Sequence, residues 1–282
     1  MKIRYTFLAL CLALCFSTDI FAQLQTPSMS PATTLEQRVG LTDITISYSR
    51  PSRRGRKLFG AEGLIPHGEL WRTGANTATK FTTSNDIRIA GEVLPKGEYA
   101  LLSVPGETEW TFNFYAYTSG NWSSYTKVSP SLSTTSAYAK TSHTTEVLTL
   151  DILPNGLEAA TFRMAWGNVK ADLAIELPAR EQTLKNIDAL VAAPNWLEYY
   201  RAASYLHETG ADLPRALEYI QLSNATPGVR FFQKHKEAAI LRDLKRVPEA
   251  MVAAEKALEL SRTAKDAHFT RLSAGLIEEL RS

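Results

Sequence analysis

The chain has 282 residues, 31 basic against 29 acidic, and 44% hydrophobic side chains. A net charge of +2 supplies no global field to draw a polyanion, which argues against a nucleic-acid partner. The length and a change of pattern near residue 178 suit two domains. The expected layout is a signal peptide over 1–22, a β-rich domain over 23–178 and a helical region over 179–282.

The first segment reads as an export signal. Lys2 and Arg4 precede an apolar run from Phe7 to Phe16, and Phe21-Ala22-Gln23 offers a cleavage point. That run is too short to span a bilayer, so no transmembrane segment is expected after its removal. The mature protein is expected in the periplasm or outside the cell. Both cysteines, Cys11 and Cys15, lie inside the apolar run. Each follows Leu-Ala-Leu, and a leucine replaces the small residue expected before a lipidated cysteine, so lipid anchoring is not expected.

From Leu41 to Leu177 the pattern is antiparallel β. The first strand signal, "LTDITISYS", runs into the basic stretch Arg50, Arg53, Arg54, Arg56 and Lys57, and then into "GRKLFGAEGLIPHGELWRTGAN", Gly55 to Asn76. Glycines at 55, 60, 63, 68 and 74 make this segment turn repeatedly. Such a path can gather Arg56, His67, Glu69, Trp71, Arg72 and Asn76 around one spot. Arginine offers paired donors for a carboxylate or sulfate, asparagine a donor and an acceptor, and tryptophan a face for a sugar. The alternative stays open that Arg72 and Asn76 satisfy backbone carbonyls and Trp71 is core. His67 and Glu69 lack an evident third ligand, so no metal and no cofactor are expected. A Gly-x-Ser-x-Gly elbow is missing, and Glu69 has only Glu98, Glu109 or Asp151 as acidic partners in space.

Further strand signals follow at "IRIAGEVL", "EYALLSV", "WTFNFYAY", "EVLTLDIL", "ATFRMAW" and "VKADLAIEL", separated by turns such as Leu94-Pro95-Lys96-Gly97 and Pro154-Asn155-Gly156. Seven or eight strands at this spacing predict a sandwich or barrel. Alternation puts Trp110, Phe112 and Phe114 on a core face and Thr111, Asn113, Tyr115 and Tyr117 on the other. The serine- and threonine-rich stretch from Thr118 to Thr145 offers little apolar area, which predicts a mobile loop.

Beyond Pro178 the period lengthens to about 3.6 residues, the helical value. "LPRALEYIQLS" at Leu213 returns as "VPEAMVAAEKA" at Val247, an offset of 34 residues. That spacing, with Pro214 and Pro248 at helix starts and Ala216 and Ala250 as small contact residues, resembles tetratricopeptide repeats, although the expected Leu-Gly pair is absent. "WLEYYRAASYLHETG" and "FFQKHKEAAILRDLK" are the expected first helices of the units, and "DAHFTRLSAGLIEEL" a closing helix. Such an array binds a protein partner or buttresses its neighbour.

The strings "YSRPSRRGRKLFG", "IPHGELWRTGAN", "AGEVLPKGEYALLSVPG" and "EWTFNF", in that order, resemble the secreted bacterial domain of unknown function family 2911 over roughly Ser30 to Leu177. The resemblance implies a β-rich exported domain, often followed by a helical repeat extension, and no established activity. The chain reads Asn76-Thr77-Ala78-Thr79 where that family usually has Asn-Glu-Ala-Thr, so a role for that glutamate in relatives does not carry over. The expectation is an α+β multidomain protein: an antiparallel sandwich or barrel-like domain, then a tetratricopeptide-like helical domain. Its expected function is that of an exported binding or scaffold protein recognising an anionic or carbohydrate group. The alternative is an exported hydrolase or lyase using His67, Glu69 and Arg72.

Overall fold

The computed structural model describes residues 26–189 and 195–282. The expected signal peptide therefore lies outside the described residues. The chain divides into two compact units, one ending at Arg180 and the other starting at Glu181. Among the described residues no helix is long and apolar enough to cross a membrane.

The first unit is one antiparallel sheet of nine strands: β1 (Ala32–Val39), β2 (Thr42–Ser49), β3 (Thr79–Thr83), β4 (Ile87–Ile89), β5 (Glu92–Leu94), β6 (Gly97–Pro105), β7 (Glu109–Ala116), β8 (Leu132–Pro154) and β9 (Ala159–Glu176). Their order across the sheet is β1-β2-β3-β6-β7-β8-β9-β4-β5, so the ends do not pair and the barrel does not close. The long β8 is what lets the sheet face itself. Its start, through Ala137, pairs with β7, and from Tyr138 onward it pairs with β9. A single core then fills between the two arms, with Phe112 of β7 edge-on to Phe162 of β9 at 5.7 Å. The Tyr48 hydroxyl of β2 accepts from the Leu150 amide of β8 at 2.9 Å. Trp110, Phe112, Phe114, Phe81, Phe162 and Trp166 are all under 2% exposed, and each buried aromatic of this size contributes about 1.5–3 kcal/mol.

The core face of β7 is as alternation requires. Its opposite face is covered too: Ala100, Leu102 and Tyr115 pack with Tyr125 and Trp122 in a smaller apolar cluster. Tyr125 sits in a short 3₁₀ turn, Trp122–Tyr125, capped by Asn121.

Three expectations need correction. The stretch 118–145 is not one mobile loop, because residues 132–145 are the first part of a 23-residue strand. Serines and threonines at 133–136 alternate between exposed and half-buried positions, and β-branched threonine is a good strand former when its backbone is paired. "IRIAGEVL" is a hairpin, not a strand: Ala90 (φ 51°) and Gly91 (φ 86°) form the two-residue turn between β4 and β5. "ATFRMAW" and "VKADLAIEL" are one strand, β9, passing through Gly167 at φ 61°. The strands β1 and β3 belong to none of the expected runs.

The described residues of the rest of the chain hold six helices: α1 (Ala179–Asp188), α2 (Trp196–Glu208), α3 (Leu213–Asn224), α4 (Phe231–Asp243), α5 (Val247–Thr263) and α6 (Ala267–Arg281). Asn195 and Glu198 form a capping box at α2, Asp212 caps α3, and Asp266 caps α6. Pro214 and Pro248 sit in first turns, where the missing N–H costs nothing. Lys245 (φ 62°) and Lys265 (φ 56°) end α4 and α5 in left-handed conformation. In both cases a 6→1 bond closes the end, from Arg246 N–H to Leu241 O and from Asp266 N–H to Ser261 O, each at 2.9 Å. Ala203, Ala216, Ala238, Ala250 and Ala254 are fully buried, so helix backbones approach closely. The buried Gln233 amide donates to the Ser223 hydroxyl at 2.8 Å, whose own proton goes to the Trp196 carbonyl at 2.8 Å.

Candidate functional site

The segment between β2 and β3 makes no regular element of its own, yet it is held at three places. Ser52 bridges to Val147 of β8, Phe59 bridges to Ile65 within the segment, and Trp71 bridges to Ser103 of β6. At the last, Trp71 N–H donates to Ser103 O at 2.7 Å and Ser103 N–H to Trp71 O at 2.8 Å, so Trp71 extends the row of partners on that edge of β6. The turns between and after these anchors use the left-handed region at Arg54, Gly55, Gly60, Gly68, Thr73 and Asn76.

Trp71 is the hinge between core and cavity. Its ring lies nearly parallel to Trp166 at 5.9 Å and edge-on to Trp110 at 6.1 Å, while its Nε1 donates to the Gly74 carbonyl at 3.0 Å. It is half-buried, and its remaining surface lines a cavity of about 280 Å³ together with Arg56, Arg72, Leu64 and Trp166. Among the described residues no aspartate or glutamate lines this cavity.

The two arginines there are chemically unequal. Arg56 spends its donors on the backbone, Nε to Arg53 O at 2.9 Å and Nη2 to Ser52 O at 2.6 Å. Arg72 makes no ion pair among the described residues, its Nε is buried without a hydrogen-bond partner, and its guanidinium lies 5.7 Å from the centre of the Trp122 ring. A buried donor without a protein partner costs about 1–3 kcal/mol. Asn76 turns its Nδ2 to Ser30 O and to Ser49 Oγ, both at 3.2 Å.

The gathering foreseen from the sequence is thus partial. Arg56, Trp71 and Arg72 share one cavity, whereas Asn76 pins the loop outside its lining. His67 lines a different cavity, and Glu69 is exposed and lines neither. Among the described residues no group of three or more His, Cys, Asp or Glu is close enough to hold a metal ion. Trp166 is the wall residue that sequence reading missed. It reads there only as one apolar member of a strand, and its partners are Phe59 and Trp71 of the segment after β2 and the Glu146 carbonyl of β8.

A search of curated proteins and one of solved structures each returned no match. A family does match, over residues 30–175, which is more than half of the chain and coincides with the sheet that carries both cavities. The chain belongs to the family described as Protein of unknown function (DUF2911).

Proposed function

We propose that this chain is an exported two-domain binding protein whose β unit recognises a small acidic carbohydrate. The observation that carries this reading is Arg72, which lines a cavity with Trp71 and Trp166 and whose guanidinium forms no ion pair among the described residues. A uronic-acid carboxylate supplies the two acceptor oxygens to which a guanidinium fork donates, and the sugar ring supplies a face for the half-buried indole. A hydrolase would need His67 and Glu69 to meet one substrate, and they line no common cavity. The helices serve as a tetratricopeptide-like buttress or partner-binding array, a role supported by the 34-residue offset between Leu213 and Val247. Export rests on the Lys2 to Gln23 segment, and an intact mass of native material beginning near Gln23 is its expected signature.

The test is titration calorimetry with glucuronate and galacturonate oligomers, and with neutral glucose oligomers as controls. Losing one charge-assisted buried bond costs roughly 1.5–3 kcal/mol, so Arg72→Ala should weaken uronate binding about ten- to a hundred-fold. Arg72→Lys should recover only part of it, because an ammonium cannot present the fork. A wild-type protein indifferent to every uronate, or an Arg72→Ala protein that binds as well, overturns the proposal.

A further inference from the structure

We infer a second anion site in the β unit, a pocket for a phosphate or sulfate ester carried on an aromatic or sugar ring. It lies where the β8–β9 hairpin loses register. Lys140 faces Val169, but the next pair is Thr145 with Gly167, so β8 advances five residues while β9 retreats two. Such bulges re-aim side chains at site rims. Gly167 suits this geometry: its φ is 61°, and an added Cβ would stand 2.8 Å from a Leu58 methyl.

The bulge opens a cavity of about 270 Å³ that shares only Trp166 with the Arg72 cavity. Its lining brings together Arg53, Lys57, His67, Lys140 and Asn168 and, among the described residues, no carboxylate. The segment after β2 is drawn to this place by its backbone, Arg53 N–H donating to Glu146 O at 2.7 Å. Two acidic side chains of adjoining segments are already engaged. Glu146 Oε1 accepts from Arg54 N–H at 2.7 Å, and Glu62 pairs with Lys57 at 3.2 Å. That last pair is highly exposed and easily exchanged. Arg53 uses its Nε on Arg56 O at 3.1 Å but, like Lys140, forms no ion pair among the described residues. Asn168 Oδ1 accepts from Thr144 at 3.2 Å, which leaves its amide nitrogen to donate.

Donors that approach from several elements suit a tetrahedral oxyanion better than a planar carboxylate, which a single arginine can satisfy. The body of the ligand lies against Phe59 and Tyr138, the half-buried walls over a floor of buried Trp110 and Trp166. Phosphate and sulfate esters share this chemistry, and direct comparison separates them.

The experiment titrates the full chain with phenyl phosphate and with phenyl sulfate. Expected is saturable binding of at least one ester, weakened at least about tenfold by Lys140→Glu and further by Lys57→Glu, since each reverses a lining charge. The Gly167 and Asn168 amide signals in ¹⁵N NMR should shift on binding. Both lysines are exposed, so their variants should keep the wild-type melting profile. Arg72→Ala should leave ester binding unchanged, which separates this site from the uronate reading. No response of wild type to either ester, equal affinity of Lys140→Glu, or loss of ester binding in Arg72→Ala would each overturn the inference.

Discussion

Tyr125→Phe isolates what holds the connection from β7 to β8 in place. The phenolic oxygen accepts from Thr118 N–H at 2.9 Å and Ser119 N–H at 3.0 Å, and its proton goes to Ser119 O at 2.7 Å. Phenylalanine keeps the ring, which packs on Tyr115 at 5.6 Å, and removes those three bonds together with a longer one from the Thr118 hydroxyl at 3.3 Å. Three net hydrogen bonds at about 1 kcal/mol each come to about 3 kcal/mol, with two amides losing their acceptor. For a unit of this size that is a fall of about 6–12 °C in Tm. Urea denaturation followed by tryptophan fluorescence should show a lower midpoint at unchanged slope. A loss below about 1 kcal/mol would refute the reasoning, because it would mean that the two amides find water as readily as the phenol.

Ala250→Leu should overpack a fully buried helix contact and cost about 1–3 kcal/mol by helical circular dichroism; unchanged melting would put Ala250 at a free surface. Gly40→Ala should cost more than Gly91→Ala, although both have positive φ, because at Gly40 the new Cβ runs into the Leu157 carbonyl and stands 2.6 Å from Ala179 Cβ, whereas Gly91 faces open space. Equal losses in paired melts would contradict that. The Asp172 carboxyl is held below the usual carboxylate range by its paired hydrogen bonds from Arg163, with Lys170 adding attraction against partial desolvation. Its folded pKa is therefore lower than its unfolded one, so its contribution is present above the ordinary carboxylate range and is lost as pH falls through and below it. Asp172→Asn should be destabilised at pH 7 by about 1 kcal/mol, after discount for exposure, and should converge with wild type in acid; a gap independent of pH would rule out the ion pair as its origin.

Local pattern carried most of the elements. Period-two runs marked β2, β6 and β7, and the longer period, the 34-residue offset and the prolines at 214 and 248 marked the helices from Trp196 onward. These features act between near neighbours in sequence, so a single chain displays them. Strand β8 was illegible in its first half because Ser and Thr at 133–136 carry no apolar alternation, and their strand is made by pairing with β7. At the candidate site, sequence marked the cationic, glycine-punctuated segment but not how its members would divide. Arg56 turned to carbonyls of its own loop, Asn76 to Ser30 and Ser49, and Arg72 alone of these three found no such partner. The meeting of Arg53 and Lys57 with Lys140 and Asn168 was decided only by tertiary structure. It depends on strand register and on a bulge between segments about a hundred residues apart, and register is set by burial on both arms of the sheet together rather than by any stretch alone.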